Sequence, residues 1–363
     1  MDIKMHSVIV VLDNNHQINN WIKDKLSKFN YISTKNINEL TQDSIRDSEF
    51  FILNINKESL FQLIEKIPML KKEEFSLVIM HDKNYSFTRK DPLSRFYKEV
   101  ELNESLNIEN YSLWNKCHFR ENKDYLLIGD VHENIEPLKS LLNSNKAESL
   151  IFLGDYLDKG NNTKETVDYM YELFKQGAKI VVGNHESYVA KRLMNEINGM
   201  GEGEQEIFTS LEYLQKNEKT ANKFLEIFKN SLPFASIVSD IKVYGTHAPC
   251  HSRYFGKLSS NAQRCQRNFY FKERGIDKMR EELSFLNDDL IDGLHVFGHV
   301  AHNMDSLEFN NRIWLDTGAV YGNKLSGLMV RKDGSREIVQ VNSEKLSDTE
   351  LFNFGSPKLK IKL

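Results

Sequence analysis

A chain of 363 residues is too long for one small core, and its length points to two domains. Hydrophobic residues make up 40% and charged residues 28%, a balance that excludes a disordered chain. The formal net charge is −4, and residues 1–120 hold 17 basic and 17 acidic side chains, so neither half has the positive excess of a dedicated nucleic-acid binder.

No run approaches the ~18 consecutive apolar residues of a membrane span. The opening MDIKMHSVIVVLD reads as a first strand rather than a signal peptide. Cys117, Cys250 and Cys265 lack CxxC spacing and point to reduced thiols. A cytoplasmic protein with no membrane partner is the expectation, and the oligomeric state is left open. All 18 glycines lie at or after Gly129, which places a seam near residue 120 and loop-borne chemistry beyond it.

In chain order, Ser7–Leu12, Phe50–Ile55 and Phe75–Met80 read as strands. The segments Gln17–Phe29 and Lys57–Leu70 have helical apolar spacing, so the first half is predicted to be a parallel α/β unit. Residues 98–118 read as a polar connector. From Asp124 the pattern becomes strand, polar motif, helix, three times over, with strands Tyr125–Ile128, Leu150–Leu153 and Lys179–Val182. Residues 199–232 read as a polar helical cap. Ile241–Tyr244, Gly293–Phe297, Ile313–Leu315 and Leu325–Val330 read as a second, more antiparallel sheet, with Tyr321-Gly322-Asn323 turning the last pair. The expected division is an accessory domain at 1–120, a catalytic domain at 121–345 and a tail at 346–363.

The chemistry sits at the strand ends, where open α/β sheets bind ligands. The motifs are Gly129-Asp130-Val131-His132, Gly154-Asp155-Tyr156-Leu157-Asp158-Lys159-Gly160, Gly183-Asn184-His185-Glu186, Gly245-Thr246-His247 and Gly298-His299. Taken singly, such residues often do no more than cap turns. Their order, each after a strand, is far more specific. Aspartate, histidine and asparagine without thiolate suit manganese, iron or zinc.

This set resembles the binuclear (calcineurin-like) metallophosphoesterases over about residues 124–340. The branch is that of phosphoprotein phosphatases, diadenosine tetraphosphatases and the phosphatase half of bacterial polynucleotide kinase–phosphatases. Trp314-Leu315-Asp316-Thr317-Gly318-Ala319-Val320-Tyr321-Gly322 is similar to the last two groups. The resemblance implies an α/β fold: a two-sheet sandwich flanked by helices, beside the smaller N-terminal α/β domain. It implies two divalent ions, manganese first, with iron, zinc or nickel as alternatives. Asp130 and His132 would hold one, Asn184, His247 and His299 the other, with Asp155 shared. His185 would be the catalytic acid, oriented by Asp158, and a metal-bridging hydroxide would attack in line.

Two departures bear on the substrate. Lys159 stands where the family has arginine, a point charge in place of a two-pronged clamp. Glu133 replaces a glycine and is expected to add bulk and charge at the mouth. Arg192, Arg264, Arg267 and Asp316 are further candidates for substrate binding. His302 is expected at the surface or behind the metal ligands. In the first half, residues 75–95 resemble the Asn-x-Thr-Arg-Lys region of polynucleotide kinases, but there is no GxxxxGK[ST]. A degenerate P-loop-kinase-like unit and a plain accessory domain both remain open.

The expected enzyme is a metal-dependent phosphatase acting on phosphomonoesters: phosphoserine/threonine or a nucleic-acid terminal phosphate. Its partner would be a phosphoprotein, an RNA or DNA end, or a nucleotide. The alternatives are a dinucleoside polyphosphate hydrolase and a weakly catalytic regulatory or nucleic-acid-binding module, the latter supported by Lys159 and Glu133.

Overall fold

The computed structural model describes residues 7–11, 32–35, 48–55, 76–81, 98–101, 113, 116–119, 122–197, 208–238, 242–258, 260–269, 281–282, 293–302, 308–309, 311–343 and 345. The chain divides into two compact units, residues 1–116 with 253–263, and 117–252 with 264–363.

The first unit holds β1 (Ser7–Val11), β2 (Ile32–Lys35), β3 (Ser48–Ile55), β4 (Ser76–His81) and β5 (Lys98–Glu101). They form one sheet in the order β2-β1-β3-β4-β5 with every neighbouring pair parallel. The three apolar runs became β1, β3 and β4. The sequence reading missed β2, and it took β5 for connector. Both are edge strands, where one neighbour suffices and little apolar surface is needed, so ISTK and KEVE carry no hydrophobic signature. The predicted helices at 17–29 and 57–70, the kinase-like segment beyond His81 and the tail at 346–363 lie outside the described residues.

The second unit contains two sheets. One comprises β7 (Tyr125–Ile128), β8 (Ser149–Phe152), β9 (Lys179–Ile180), β15 (Lys324–Val330) and β16 (Arg336–Asn342), ordered β16-β15-β7-β8-β9. The other comprises β6 (His118–Phe119), β10 (Ala235–Val238), β11 (Lys242–Gly245), β12 (Leu294–Phe297), β13 (Glu308–Phe309) and β14 (Arg312–Trp314), ordered β13-β14-β12-β11-β10-β6. Among the described residues its helices are α1 (Ile135–Ser144), α2 (Thr163–Lys175), α3 (Asn184–Leu193), α4 (Thr209–Lys216) and α5 (Glu218–Asn230), with the second half of α6 (Ser260–Arg267).

Alternation along β7 divides the core. Leu126 and Ile128 join a cluster with Leu138 and Leu141 of α1, Val167 and Met170 of α2, and Phe224 of α5. Tyr125 and Leu127 join Ile237, Val243, Val296 and Ile313 of the other sheet. The first sheet thus packs helices on one face and the second sheet on the other. The polar cap reading holds only for exposed faces, because Leu211, Leu214, Phe224 and Ile227 of α4 and α5 are buried in that helical cluster.

Two sequence expectations change. Leu325–Val330 belongs to the first sheet, antiparallel to β7, rather than to the second. The second sheet also runs β11, β12 and β14 parallel. Tyr321-Gly322-Asn323 therefore precedes a strand of the other sheet, and the true hairpin joins β15 to β16 across Arg331–Ser335.

Candidate active site

Six loops meet at the carboxyl ends of β7, β8, β9, β11, β12 and β14, and each carries one of the motifs. Asp130, His132, Asp155, Asp158, His185, His247 and Asp316 are buried there, with Asn184 and His299 partly exposed. The loops are tight. His132, Glu133, Asp155, Asp158, Lys159 and His299 all take positive φ, between 45° and 81°. Strain of this kind, about 1–3 kcal/mol per residue, persists where surrounding bonds enforce it and is typical of functional sites. The motif glycines serve space more than conformation. A Cβ at Gly298 would strike the Asp130 carboxylate, and one at Gly183 the Asp155 carboxylate.

The ring nitrogens facing outward from the site fix the chemistry of those facing in. His247 Nδ1–H donates to the Leu153 carbonyl at 2.8 Å, so in the neutral ring Nε2 holds the lone pair. That Nε2 lies 2.9 Å from Asn184 Oδ1, 3.1 Å from His299 Nδ1 and 3.4 Å from Asp155 Oδ2. His299 Nε2 is nearer to the Phe269 carbonyl, at 3.0 Å, than to its N–H, so it donates there and turns its own Nδ1 lone pair inward. Four electron-rich atoms so arranged suit a cation.

A second group shares Asp155. His132 Nδ1–H donates to the Leu157 carbonyl at 2.8 Å, and its Nε2 stands 3.9 Å from both Asp130 Oδ2 and Asp155 Oδ2. Lys159 Nζ donates to that same nitrogen at 2.8 Å. Donor atoms of His132, Asp155 and His185, and separately of Asp155, His247 and His299, lie within 4.8 Å of one another.

The electrostatics show a demand for positive charge. Burial, with Asp316 and Asp155 facing it, raises Asp130 well above the usual carboxylate range. Burial raises Asp316 to about 6 although Lys159 opposes it. Burial disfavours a charged His247, but the Asp155 carboxylate outweighs it and lifts the ring to about 9. Divalent cations would relieve the same crowding of carboxylates.

Beside this centre, His185 Nδ1–H donates to Asp158 Oδ2 at 2.7 Å, and its Nε2 lies 3.8 Å from Asp155 Oδ2. The imidazole is thus aimed at the carboxylate shared by the two groups.

Two glutamates complete the frame, and sequence reasoning assigned neither a structural part. Glu186, the last residue of the third motif, accepts the backbone N–H of Asp155 at 2.8 Å, of Tyr156 at 2.9 Å and of Leu157 at 3.1 Å. Reading Gly-Asn-His-Glu to its end would have found it. Glu133 corrects an expectation. It is fully buried rather than at the mouth, and it accepts the N–H of Asp158 at 3.3 Å, the N–H of Asn162 at 2.7 Å and the Thr163 hydroxyl at 2.8 Å. Its carboxylate ties the turn that carries Asp158 and Lys159 to the start of α2.

The family model described as calcineurin-like phosphoesterase matches residues 124–325. The chain belongs to the calcineurin-like phosphoesterases. It is 26% identical over 207 residues to a bis(5'-nucleosyl)-tetraphosphatase (asymmetrical) of Anoxybacillus flavithermus, covering 55% of this chain and 81% of that one. The protein of the same name from Oceanobacillus iheyensis is 26% identical over 255 residues, covering 62% and 98%. A metallophosphoesterase structure from Sphaerobacter thermophilus aligns at 17% identity with a TM-score of 0.40, covering 61% of this chain and 88% of that one. The chain is accordingly a metal-dependent phosphoesterase.

Within this phosphoesterase the remaining candidates fall at different distances. Asp316 sits beside the donor groups, its Oδ1 accepting the Gly318 N–H at 3.2 Å. His302 is buried rather than at the surface. Its Nε2 donates to the Trp314 carbonyl at 3.1 Å and its N–H to the Asp316 carbonyl at 3.1 Å, so it pins the strand end before Asp316. Arg192 lies in the last turn of α3, about 12 Å along the axis from Asn184, and donates to the Ile197 carbonyl at 3.3 Å. Arg264 and Arg267 occupy the last turn of α6, Arg264 exposed and Arg267 half-buried. The backbone links that helix to the site, since the Ala248 N–H reaches the Gln266 carbonyl at 2.8 Å. No helix among the described residues is long and apolar enough to cross a membrane.

Proposed function

We propose that this phosphoesterase hydrolyses phosphomonoesters, with His185 as the acid that protonates the departing oxygen. The observation that carries this reading is the His185–Asp158 pair, held at 2.7 Å with Nε2 directed at Asp155. An ester's alkoxide is a poor leaving group and needs a proton, so a fixed imidazole beside the phosphate is worth most there.

Divalent ions bound by Asp130, His132 and Asp155, and by Asp155, Asn184, His247 and His299, would supply an acidified water and neutralise phosphate charge. Manganese suits these nitrogen and oxygen donors. Asp158 fixes the ring by accepting from Nδ1, so in the protonated imidazole Nε2 carries the transferable proton. Lys159 offers an ammonium to a phosphate oxygen as a point charge without the bidentate grip of arginine. The macromolecular candidates are phosphoserine/threonine and terminal phosphates of nucleic acids. Glu133, now a loop support, no longer favours a weakly catalytic module.

A second reading has its own support. Relatives aligned over most of their length are named for cleaving bis(5'-nucleosyl) tetraphosphates, which are anhydrides. With manganese present, phenyl phosphate, a phosphopeptide, RNA with a 3′-phosphate and diadenosine tetraphosphate would be compared in parallel. Turnover of the monoesters, lost in Asp155→Asn and His185→Ala, is expected. Cleavage of the tetraphosphate alone would replace the first reading with the second.

A further inference from the structure

The Asp158 carboxylate has two faces, and only one touches His185. Its Oδ2 accepts the His185 Nδ1–H, while its Oδ1 accepts the backbone N–H of Ser210 at 2.8 Å and the Ser210 hydroxyl at 2.6 Å. Asp158 and Ser210 are both fully buried, and 52 residues separate them. Ser210 lies in the first turn of α4, where backbone N–H groups have no partner within the helix. Asp158 caps the helix from outside, with its carboxylate at the positive end of the helix dipole.

Phe208, two residues earlier at the N-cap, reinforces this. Its ring stacks on Tyr188 with centroids 3.9 Å apart and planes at 14°, and lies 5.1 Å from the His185 ring. The start of α4 therefore holds the carboxylate through Ser210 and flanks the imidazole through Phe208.

We propose that Ser210 is a positioning residue for phosphoester hydrolysis, locking the Asp158 carboxylate so that His185 Nε2 stays aimed at the leaving oxygen. Two donors on Oδ1 leave the carboxylate a single orientation, with Oδ2 toward Nδ1. Without the hydroxyl, Oδ1 keeps one donor, the carboxylate can rotate and the ring follows it. A buried charge that loses a hydrogen bond also weakens those that remain coupled to it.

This rests on His185 acting as the acid, and a leaving-group series separates the two claims. Phenyl phosphate needs protonation of its leaving oxygen, whereas p-nitrophenyl phosphate leaves readily without it. In the full chain with manganese, Ser210→Ala is expected to lower kcat on phenyl phosphate by about tenfold, with a much smaller effect on p-nitrophenyl phosphate and little change in KM. Ser210→Thr, which keeps the hydroxyl, should restore the phenyl rate. Ser210→Cys supplies a near-isosteric loss of the strong donor should the alanine variant fold poorly. Equal losses on both substrates, or no loss on either, would overturn the positioning role. His185→Asn is the control. If it shows no leaving-group preference, the acid assignment fails; if it shows one that Ser210→Ala lacks, the acid stands and the Ser210 inference falls.

Discussion

Glu186 accepts the backbone N–H of Asp155 at 2.8 Å, so the residue that closes the third motif fixes the residue shared by both donor groups. The same carboxylate takes the N–H groups of Tyr156 and Leu157, and together these bonds enforce the positive φ of 49° at Asp155. Glu186→Ala would orphan three buried donors at about 1 kcal/mol or more each, a loss of roughly 3 kcal/mol in stability. Glu186→Gln keeps one acceptor oxygen and should lose about half as much. Urea unfolding gives the first quantity. Calorimetric titration with manganese should show weaker binding in the same order, because both groups lose their common ligand's support.

Glu133 acts one loop away by the same physics. Its backbone φ of 64° is the left-handed conformation that glycine adopts at lowest cost. Here the side chain compensates for the strain with three hydrogen bonds. Glu133→Gly relieves about 1 kcal/mol of strain but breaks all three, so it should still destabilise by about 1–2 kcal/mol. Glu133→Ala keeps the strain as well and should be the worse of the two. That ordering, read from urea midpoints, is the test; a stabilised glycine variant would show that the bonds count for less than the backbone.

These two residues mark where the sequence was legible and where it was not. Candidate metal donors such as Asp130 and His247 could be read because metal ligation limits residue type and because each motif follows the carboxyl end of an apolar strand. Their second partners could not. The Leu153 and Leu157 carbonyls that orient His247 and His132 belong to residues that look like core, and backbone acceptors leave no trace in composition. Ser210 was equally invisible, since its link to Asp158 spans 52 residues and requires the fold. Glu133 misled because a charge in a loop suggests exposure, while the carboxylate is satisfied by amides it cannot be seen to meet. For β2 and β5, pairing at a sheet edge made strands that hydrophobic pattern alone does not mark.

Asp168 joins α2 to α5 through Lys223 at 2.7 Å and also bonds Lys164 at 2.8 Å. Partial burial raises its pKa, but the two lysine bonds outweigh that and hold it below the usual range. A depressed folded pKa means the stabilisation is present above the unfolded value near 4 and is lost as pH falls through the folded value. With the carboxylate partly exposed, the contribution is at most about 1 kcal/mol. Asp168→Asn should therefore unfold at lower urea than wild type at pH 7, and the difference should shrink as pH falls below about 4. A gap that persists at low pH would mean that packing, and not charge, supplies it.

Lys159 competes for the atom on which one donor group depends. Its ammonium donates to His132 Nε2 at 2.8 Å, the lone pair that would face a bound ion. Burial disfavours that charge, yet Tyr321, Asp155, Asp316 and Asp130 surround it and raise its pKa, so it stays protonated. An ammonium and a divalent ion repel at such range, and loading must move Lys159 off the histidine. Lys159→Met removes the competitor and should tighten manganese binding several-fold in calorimetric titration. The same change deletes the point charge available to phosphate, so KM for phenyl phosphate should rise. Opposite movements of metal affinity and substrate affinity are the expected signature. General damage to the loop would weaken both, and that result would assign Lys159 to support of the turn instead of competition for His132.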